Sequence, residues 1–144
     1  MALAKVRLLV AALWAGSLWA VGYLVAPTLF ATLSDRTLAG SIAGSMFHVE
    51  AMVSLGCGVA MGVLLWLATP AWTPKRRRTA LLLIVAMVMC TVASHFGLQP
   101  MMAELRATGL VDEAVKSRFG MLHGISSSIY LVQSLLAGWL VWKQ

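Results

Sequence analysis

Charged residues are scarce in this chain. Lys, Arg, Asp and Glu make up 11% of the 144 residues, against about 25% in a typical soluble domain. Only five residues are acidic, whereas 60% are hydrophobic and the mean hydropathy is +0.87. This composition excludes an ordinary soluble domain, whose surface carries many more charges. It predicts a protein that resides in a lipid bilayer.

The familiar signatures of catalytic and metal-binding proteins are also missing. The two cysteines, Cys57 and Cys90, lie inside apolar stretches and lack CxxC spacing, so we expect them to be small apolar fillers. The chain contains no HExxH, no CxxCH, no phosphate-binding loop and no nucleotide fingerprint. No nucleophile arrangement is recognisable either. The sequence therefore does not favour an enzyme, although it leaves catalysis open.

Long apolar runs are what the chain does have. A membrane-spanning helix needs about 20 predominantly apolar residues. Four runs meet that requirement, at residues 8–26, 42–67, 79–98 and 119–142. They predict an all-α fold in one transmembrane domain over residues 1–144, an integral membrane four-helix bundle.

Prolines punctuate the ends of the runs. Pro27 is expected to end the first helix, and the turn at residues 69–74 makes the second and third runs an antiparallel hairpin. Pro100 opens a segment that extends through Arg106 to a break at Thr108-Gly109. We expect this segment to form a short helix at the outer membrane interface.

The basic residues indicate the orientation in the membrane. One end of the predicted bundle carries seven basic and no acidic residues: Lys5, Arg7, Lys75, Arg76, Arg77, Arg78 and Lys143. Because cytoplasmic loops are enriched in Lys and Arg, we predict that both termini lie in the cytoplasm. The protein is then expected to be a multi-pass protein of a bacterial inner membrane. Four basic residues in a row beside a membrane are a topology signal or a lipid contact, so nucleic acid is not an expected partner.

Three histidines and one glutamate lie inside the second, third and fourth apolar runs, near the outer ends of these runs. They are His48, Glu50, His95 and His123. Ionisable groups at this depth are costly, and they are usually paired, hydrated or functional. At about 100° per residue, His48 and Glu50 point to nearly opposite sides of their helix. Since the small residues Ser54 and Gly58 lie closer to the Glu50 side, we expect Glu50 to face inward and His48 to face a rim.

Other polar residues stand near the same level. On the fourth run, His123, Ser127 and Tyr130 follow each other at helical steps, a pattern typical of a face that contacts protein or water. The sequence therefore predicts one outer pocket, with His48 at its periphery. Its expected lining residues are Tyr23, Glu50, His95, Gln99, Arg106, Arg118, His123, Ser127 and Tyr130.

Three functions remain open on this pattern. His123, His95 and Glu50 could bind a transition metal or haem b, with Glu50 as third ligand or base and Arg118 neutralising a carboxylate or propionate. The same groups could relay protons in a transporter of protons or small solutes. Alternatively, Glu50 forms an ion pair with Arg118 or Arg106 in a structural or assembly subunit, with a membrane-protein partner or a second copy.

Small residues recur at four-residue spacing in two runs. Such spacing lets helix backbones approach closely in lipid. In the first run they are Ala12, Gly16 and Ala20, and in the second Ser54, Gly58 and Gly62. We expect both stripes to serve contacts within one chain rather than between copies.

Several short motifs resemble those of one known family. They occupy residues 16–19, 26–30, 100–102, 105–106, 118–119, 122–124 and 126. Over nearly the whole chain they look like the transmembrane protein 205-like family, a domain of unknown function. The resemblance implies a small four-span membrane protein. It also points to functional positions at Pro27, Pro100, Arg106, Arg118, Phe119, His123 and Ser126.

Overall fold

The computed structural model describes residues 2–67 and 73–144, and within these ranges the chain is helical apart from short connections. The predicted turn at residues 69–74 falls largely outside them. No strand occurs in the described ranges. The α-helices are α1 (Ala2–Trp19), α2 (Ala26–Thr32), α3 (Arg36–Leu67), α4 (Pro74–Val92), α5 (Gln99–Ala107) and α6 (Glu113–Trp142), with π-helical segments at Ala20–Val25 and Ala93–Leu98.

Within the described residues, four helical stretches are long and apolar enough to cross a membrane, as the sequence predicts. They are Ala2–Thr32, Arg36–Leu67, Pro74–Ala107 and Glu113–Trp142. The stretch that begins with α1 packs against α3 and α6, and α4 packs against the same two helices, so the four form a ring. We call the end with both chain termini and residues 73–78 the terminal end, and the end with residues 33–35 and 108–112 the loop end.

Two prolines create the π-helical segments. Pro27 and Pro100 are each the second residue of the α-helix that follows such a segment. A proline has no N–H for the carbonyl four residues back, and its ring clashes with that carbonyl. The backbone instead makes bonds of the π type, from the Ala26 N–H to the Val21 carbonyl and from the Gln99 N–H to the Ser94 carbonyl.

This adjustment corrects one expectation from the sequence. Pro27 does not end the first helical stretch, which continues through α2 to Thr32. Likewise, α5 is a direct continuation of the third stretch rather than a separate helix. That stretch ends where expected, since Gly109 has a φ of 81°, a left-handed conformation that favours glycine.

The buried core lies in the terminal half. The large side chains that are fully enclosed are Trp14, Leu18, Met61, Leu65, Met87 and Leu140. Gly58 lets α3 approach α4, because a β-carbon there would lie 2.6 Å from Val88 Cγ2. In the loop half, by contrast, residues 20–33 and 93–101 contain no buried residue.

Only part of one small-residue stripe serves packing as expected, because nothing lies within 4 Å of a β-carbon built on Gly62. Ser54 and Gly58 are buried between helices. On α1, however, Ala12 and Gly16 are exposed, and nothing lies within 4 Å of a β-carbon built on Gly16. The prediction of an intramolecular contact at that stripe is wrong, because α1 turns its bulky side chains, including Trp14, into the core.

Candidate functional site

Glu50 lies inside the bundle. Its residue is 5% exposed, and its Oε1 accepts a 2.6 Å hydrogen bond from the hydroxyl of Ser54, one turn further along α3. The Ser54 Oγ in turn accepts a 2.7 Å bond from the indole N–H of Trp14 on α1. Carboxyl, hydroxyl and indole therefore form a buried hydrogen-bonded chain that joins α3 to α1.

Glu50 has no cationic partner among the residues that the structure describes. In residues 2–67 and 73–144 the single salt bridge joins Lys116 to Glu113, two exposed side chains. The hypothesis of an ion pair between Glu50 and Arg118 or Arg106, which the sequence left open, is therefore wrong. Arg118 is exposed on α6, and Arg106 is engaged elsewhere.

Arg106 ties α5 to the beginning of α3. Its Nη1 donates a 3.0 Å hydrogen bond to the Gly40 carbonyl oxygen, and its guanidinium carbon lies 5.8 Å from the centroid of the Phe119 ring. Gly40 precedes Glu50 by ten residues, which is about 15 Å along a helix. Arg106 thus stabilises the loop end and does not reach the buried carboxyl.

Aromatic rings gather around Tyr130 of α6, and one of them belongs to Phe47, one turn before Glu50 on α3. The Tyr130 hydroxyl donates a 2.7 Å hydrogen bond to the Leu18 carbonyl oxygen. The ring of Tyr130 meets those of Phe47 and Tyr23 edge-on, at centroid distances of 5.4 and 6.3 Å. It lies against Gly22, where a β-carbon would run into the ring. This aromatic group joins α1, α3 and α6 beside the carboxyl.

The structure brings His95 together with His48. Their ring centroids are 4.9 Å apart, with 51° between the ring planes. His95 belongs to the π-helical segment at 93–98 and is half-buried, whereas His48 is exposed at the rim, as expected from its position on the helix. Gln99 is also half-buried, one turn beyond His95.

His123 does not join them. It is exposed on α6 and stacks on Phe119, with a centroid distance of 6.1 Å and 9° between the planes. Ser127 is exposed on the same helix. Across the described parts of the chain, no three His, Cys, Asp or Glu side chains lie close enough together to hold a metal ion. The expected metal or haem site at His123, His95 and Glu50 is therefore not supported.

Sequence reasoning missed two polar connections. Trp14 was one apolar residue among many, yet its N–H begins the chain to Glu50. Gln133 of α6 donates a 2.9 Å hydrogen bond to Thr91 of α4, and both residues are buried. An amide inside an apolar run was a usable signal for the second connection, because buried polar groups need partners. Nothing distinguished Trp14 from the tryptophans that face outward.

The comparisons with known proteins give a family but no activity. No curated protein and no solved structure matches the chain. A family model described as "Domain of unknown function (DUF4149)" matches residues 9–110, more than two thirds of the sequence. That range includes His48, Glu50 and His95 but not His123, and the narrower likeness to the transmembrane protein 205-like family is not confirmed. The chain belongs to the family described as Domain of unknown function (DUF4149).

Proposed function

We propose that this multi-pass membrane protein moves protons, alone or together with a small solute, and that Glu50 is the group that binds and releases them. The observation that supports this is the buried carboxyl, which is held in the Glu50–Ser54–Trp14 chain and has no cationic partner among the described residues. Haem plays no part in the proposal.

The free-energy argument concerns the charge on Glu50. An ionised carboxylate in an apolar interior costs several kcal/mol unless a cation or several hydrogen bonds offset that cost. A neutral carboxylic acid that accepts the Ser54 hydrogen bond costs much less. Release of the proton therefore favours a rearrangement that hydrates Glu50. The hydrogen bonds through Ser54 and Trp14 would transmit this rearrangement to α1.

The contrast between the two ends suggests the direction of access. Fully buried side chains such as Leu65 and Leu140 fill the terminal half. In the loop half, the π-helical segments at 20–25 and 93–98 bury no residue. We therefore propose that protons reach Glu50 from the loop end. The basic residues of the terminal end favour the cytoplasm, so the loop end is placed on the outer side. In this orientation α5 lies at the outer interface.

A second candidate is a role as a subunit of a membrane complex. Ionisable residues in membrane spans almost always face the bundle interior or a water-filled cavity. His123 instead faces outward on α6, beside the exposed Ser127. A second copy or another membrane protein would cover them. Cross-linking of Ser127→Cys in native membranes tests this, and only monomers would count against it.

The principal test replaces Glu50 by glutamine, which keeps an acceptor for Ser54. Purified protein in liposomes containing a pH-sensitive dye should take up protons when a potential is imposed. Uptake should be lost in Glu50→Gln and kept in Glu104→Gln, a matched change at an exposed glutamate of α5.

An infrared spectrum supplies the second readout. Wild-type protein and Glu104→Gln should show the carbonyl stretch of a buried, protonated carboxylic acid, and Glu50→Gln should lack it. The proposal fails if proton uptake is equal in the three proteins or if the wild type lacks that band.

A further inference from the structure

We infer that His48 and His95 form a two-imidazole site for a transition-metal ion such as Zn²⁺ or Cu²⁺. This site is distinct from Glu50 and does not rest on the proposed proton function. It also differs from the set expected from the sequence, because His48 takes the place of His123.

The two imidazoles come from different elements. His48 lies on α3, and His95 lies in the π-helical segment at 93–98 that precedes Pro100. A π-helical turn changes the direction of the side chains that follow it, and such turns are frequent at functional sites. Their rings meet across the helix interface at 4.9 Å, so the fold itself provides the pair.

The ring separation suits a shared metal ion. Metal–nitrogen bonds to imidazole are about 2.0–2.1 Å, so two imidazoles on one tetrahedral ion have ring centroids about 5 Å apart. The observed 4.9 Å agrees with that value. A distance of 4.9 Å is also ordinary for packed rings, such as those of His95 and Phe96 at 4.8 Å, but the His48–His95 pair differs in offering two imidazole ligands.

The nitrogens are also uncommitted within the protein. In residues 2–67 and 73–144, neither His48 nor His95 makes a hydrogen bond to another protein group. The described hydrogen bonds of the neighbouring spans use other side chains, such as Thr91. Both imidazoles can therefore bind an ion without breaking a hydrogen bond to the described parts of the chain.

The exposure of the pair defines the kind of site. His48 is exposed and His95 half-buried, so an ion can enter from the loop end without opening the bundle. Two protein ligands leave coordination positions for water or another molecule, unlike the closed four-ligand sites that hold structural zinc. Imidazole favours Zn, Cu and Ni over Mg or Ca. The site is thus suited to exchangeable binding of a borderline transition metal.

The test uses the full-length protein in detergent, purified with a tag that contains no histidine. Equilibrium dialysis against Zn²⁺, followed by elemental analysis, should give one ion per chain. His48→Ala and His95→Ala should each weaken binding by more than about tenfold, since losing even an outer-shell partner of a metal ligand costs 10- to 100-fold. His123→Ala is the matched control and should bind like the wild type.

Cu²⁺ provides a spectroscopic readout of the same site. Electron paramagnetic resonance of the copper-loaded wild type should show coupling to two imidazole nitrogens, and His48→Gln should show one. Helical content by circular dichroism establishes that each variant is folded. The inference is overturned if the wild type binds no Zn²⁺, if His48→Ala binds normally, or if His123→Ala loses the ion.

Glu50→Gln separates this inference from the proton proposal. Because Glu50 faces α1 and the imidazoles meet between α3 and the third stretch, Glu50→Gln should bind Zn²⁺ with wild-type affinity. If it loses Zn²⁺, the carboxyl belongs to the metal site and the two-imidazole assignment is wrong. Proton uptake by His48→Ala at the wild-type rate would keep the two sites independent.

Discussion

The half of the bundle that holds both termini is packed with apolar side chains, whereas the half that holds the loops carries the three histidines of the spans. In the terminal half, Trp14, Met61 and Leu140 are fully enclosed. In the loop half, the π-helical segments contribute no buried residue, and the two imidazoles meet at the rim. Glu50 lies where the two halves join, attached to the packed half through Ser54 and Trp14.

The difference suggests that one half of the bundle provides stability and the other half carries the functional groups. Van der Waals packing, rather than a hydrophobic driving force, holds helices together in lipid, so close packing in one half can stabilise the whole bundle. The other half can then keep irregular backbone and ionisable side chains at little cost to stability. Substitutions of the same type in the two halves should therefore have unequal effects.

The largest expected effect is in the packed half. Trp14→Ala should lower the free energy of unfolding by about 3 kcal/mol or more, because it leaves a large cavity and removes the donor to Ser54. Unfolding by SDS in mixed micelles would measure the loss. Trp142, which is 85% exposed, provides the matched control. Should Trp142→Ala be as destabilising as Trp14→Ala, the packed half is not the source of stability.

The next effect contrasts two glycines of the first helical stretch. Gly22→Ala should cost about 1–3 kcal/mol, because the new methyl group runs into the ring of Tyr130 and overpacks the contact. Gly16→Ala, on the exposed face of α1, should be neutral or stabilise the helix by up to about 1 kcal/mol. The same SDS titration compares them. Equal losses would mean that Tyr130 can move away from Gly22 freely.

The smallest effect concerns one hydrogen bond. Tyr130→Phe keeps the ring contacts with Phe47 and Tyr23 but removes the bond to the Leu18 carbonyl oxygen. Hydrogen bonds between membrane helices contribute about 0.6 kcal/mol on average, so the loss in SDS resistance should be of that order. A loss of SDS resistance as large as that of Trp14→Ala would show that the Tyr130 hydroxyl, and not the apolar core, holds the two halves of the bundle together.

Much of the fold follows from run length alone. Four apolar runs predict four membrane-length helices, and the structure has them. Pro27 was misread because the rule that proline ends a helix ignores the π-type hydrogen bond, which bypasses the blocked carbonyl. The start of α3 depends on local chemistry, since Asp35 accepts hydrogen bonds from the backbone N–H groups of Thr37 and Leu38.

The site was harder to predict than the fold. The inward position of Glu50 follows from its spacing to Ser54, which is local information. The position of His123 does not, because a polar stripe fixes a direction on α6 and not what stands opposite it. Along the same face of α6, burial falls from Ser134 through Tyr130 to Ser127 and His123. His95 lies in a π-helical segment, and Pro100 by itself does not indicate whether the backbone ends its helix or adopts such a segment.

The two π-helical segments also set the rotational register of everything beyond them. A π turn holds one residue more than an α turn, so each proline-linked segment acts as a single-residue insertion in its span. Removing that residue would swing α2 or α5 around its axis by about 100°. For α5 the swing would carry Arg106 away from Gly40. Chain length in these two places is therefore under tighter constraint than residue identity.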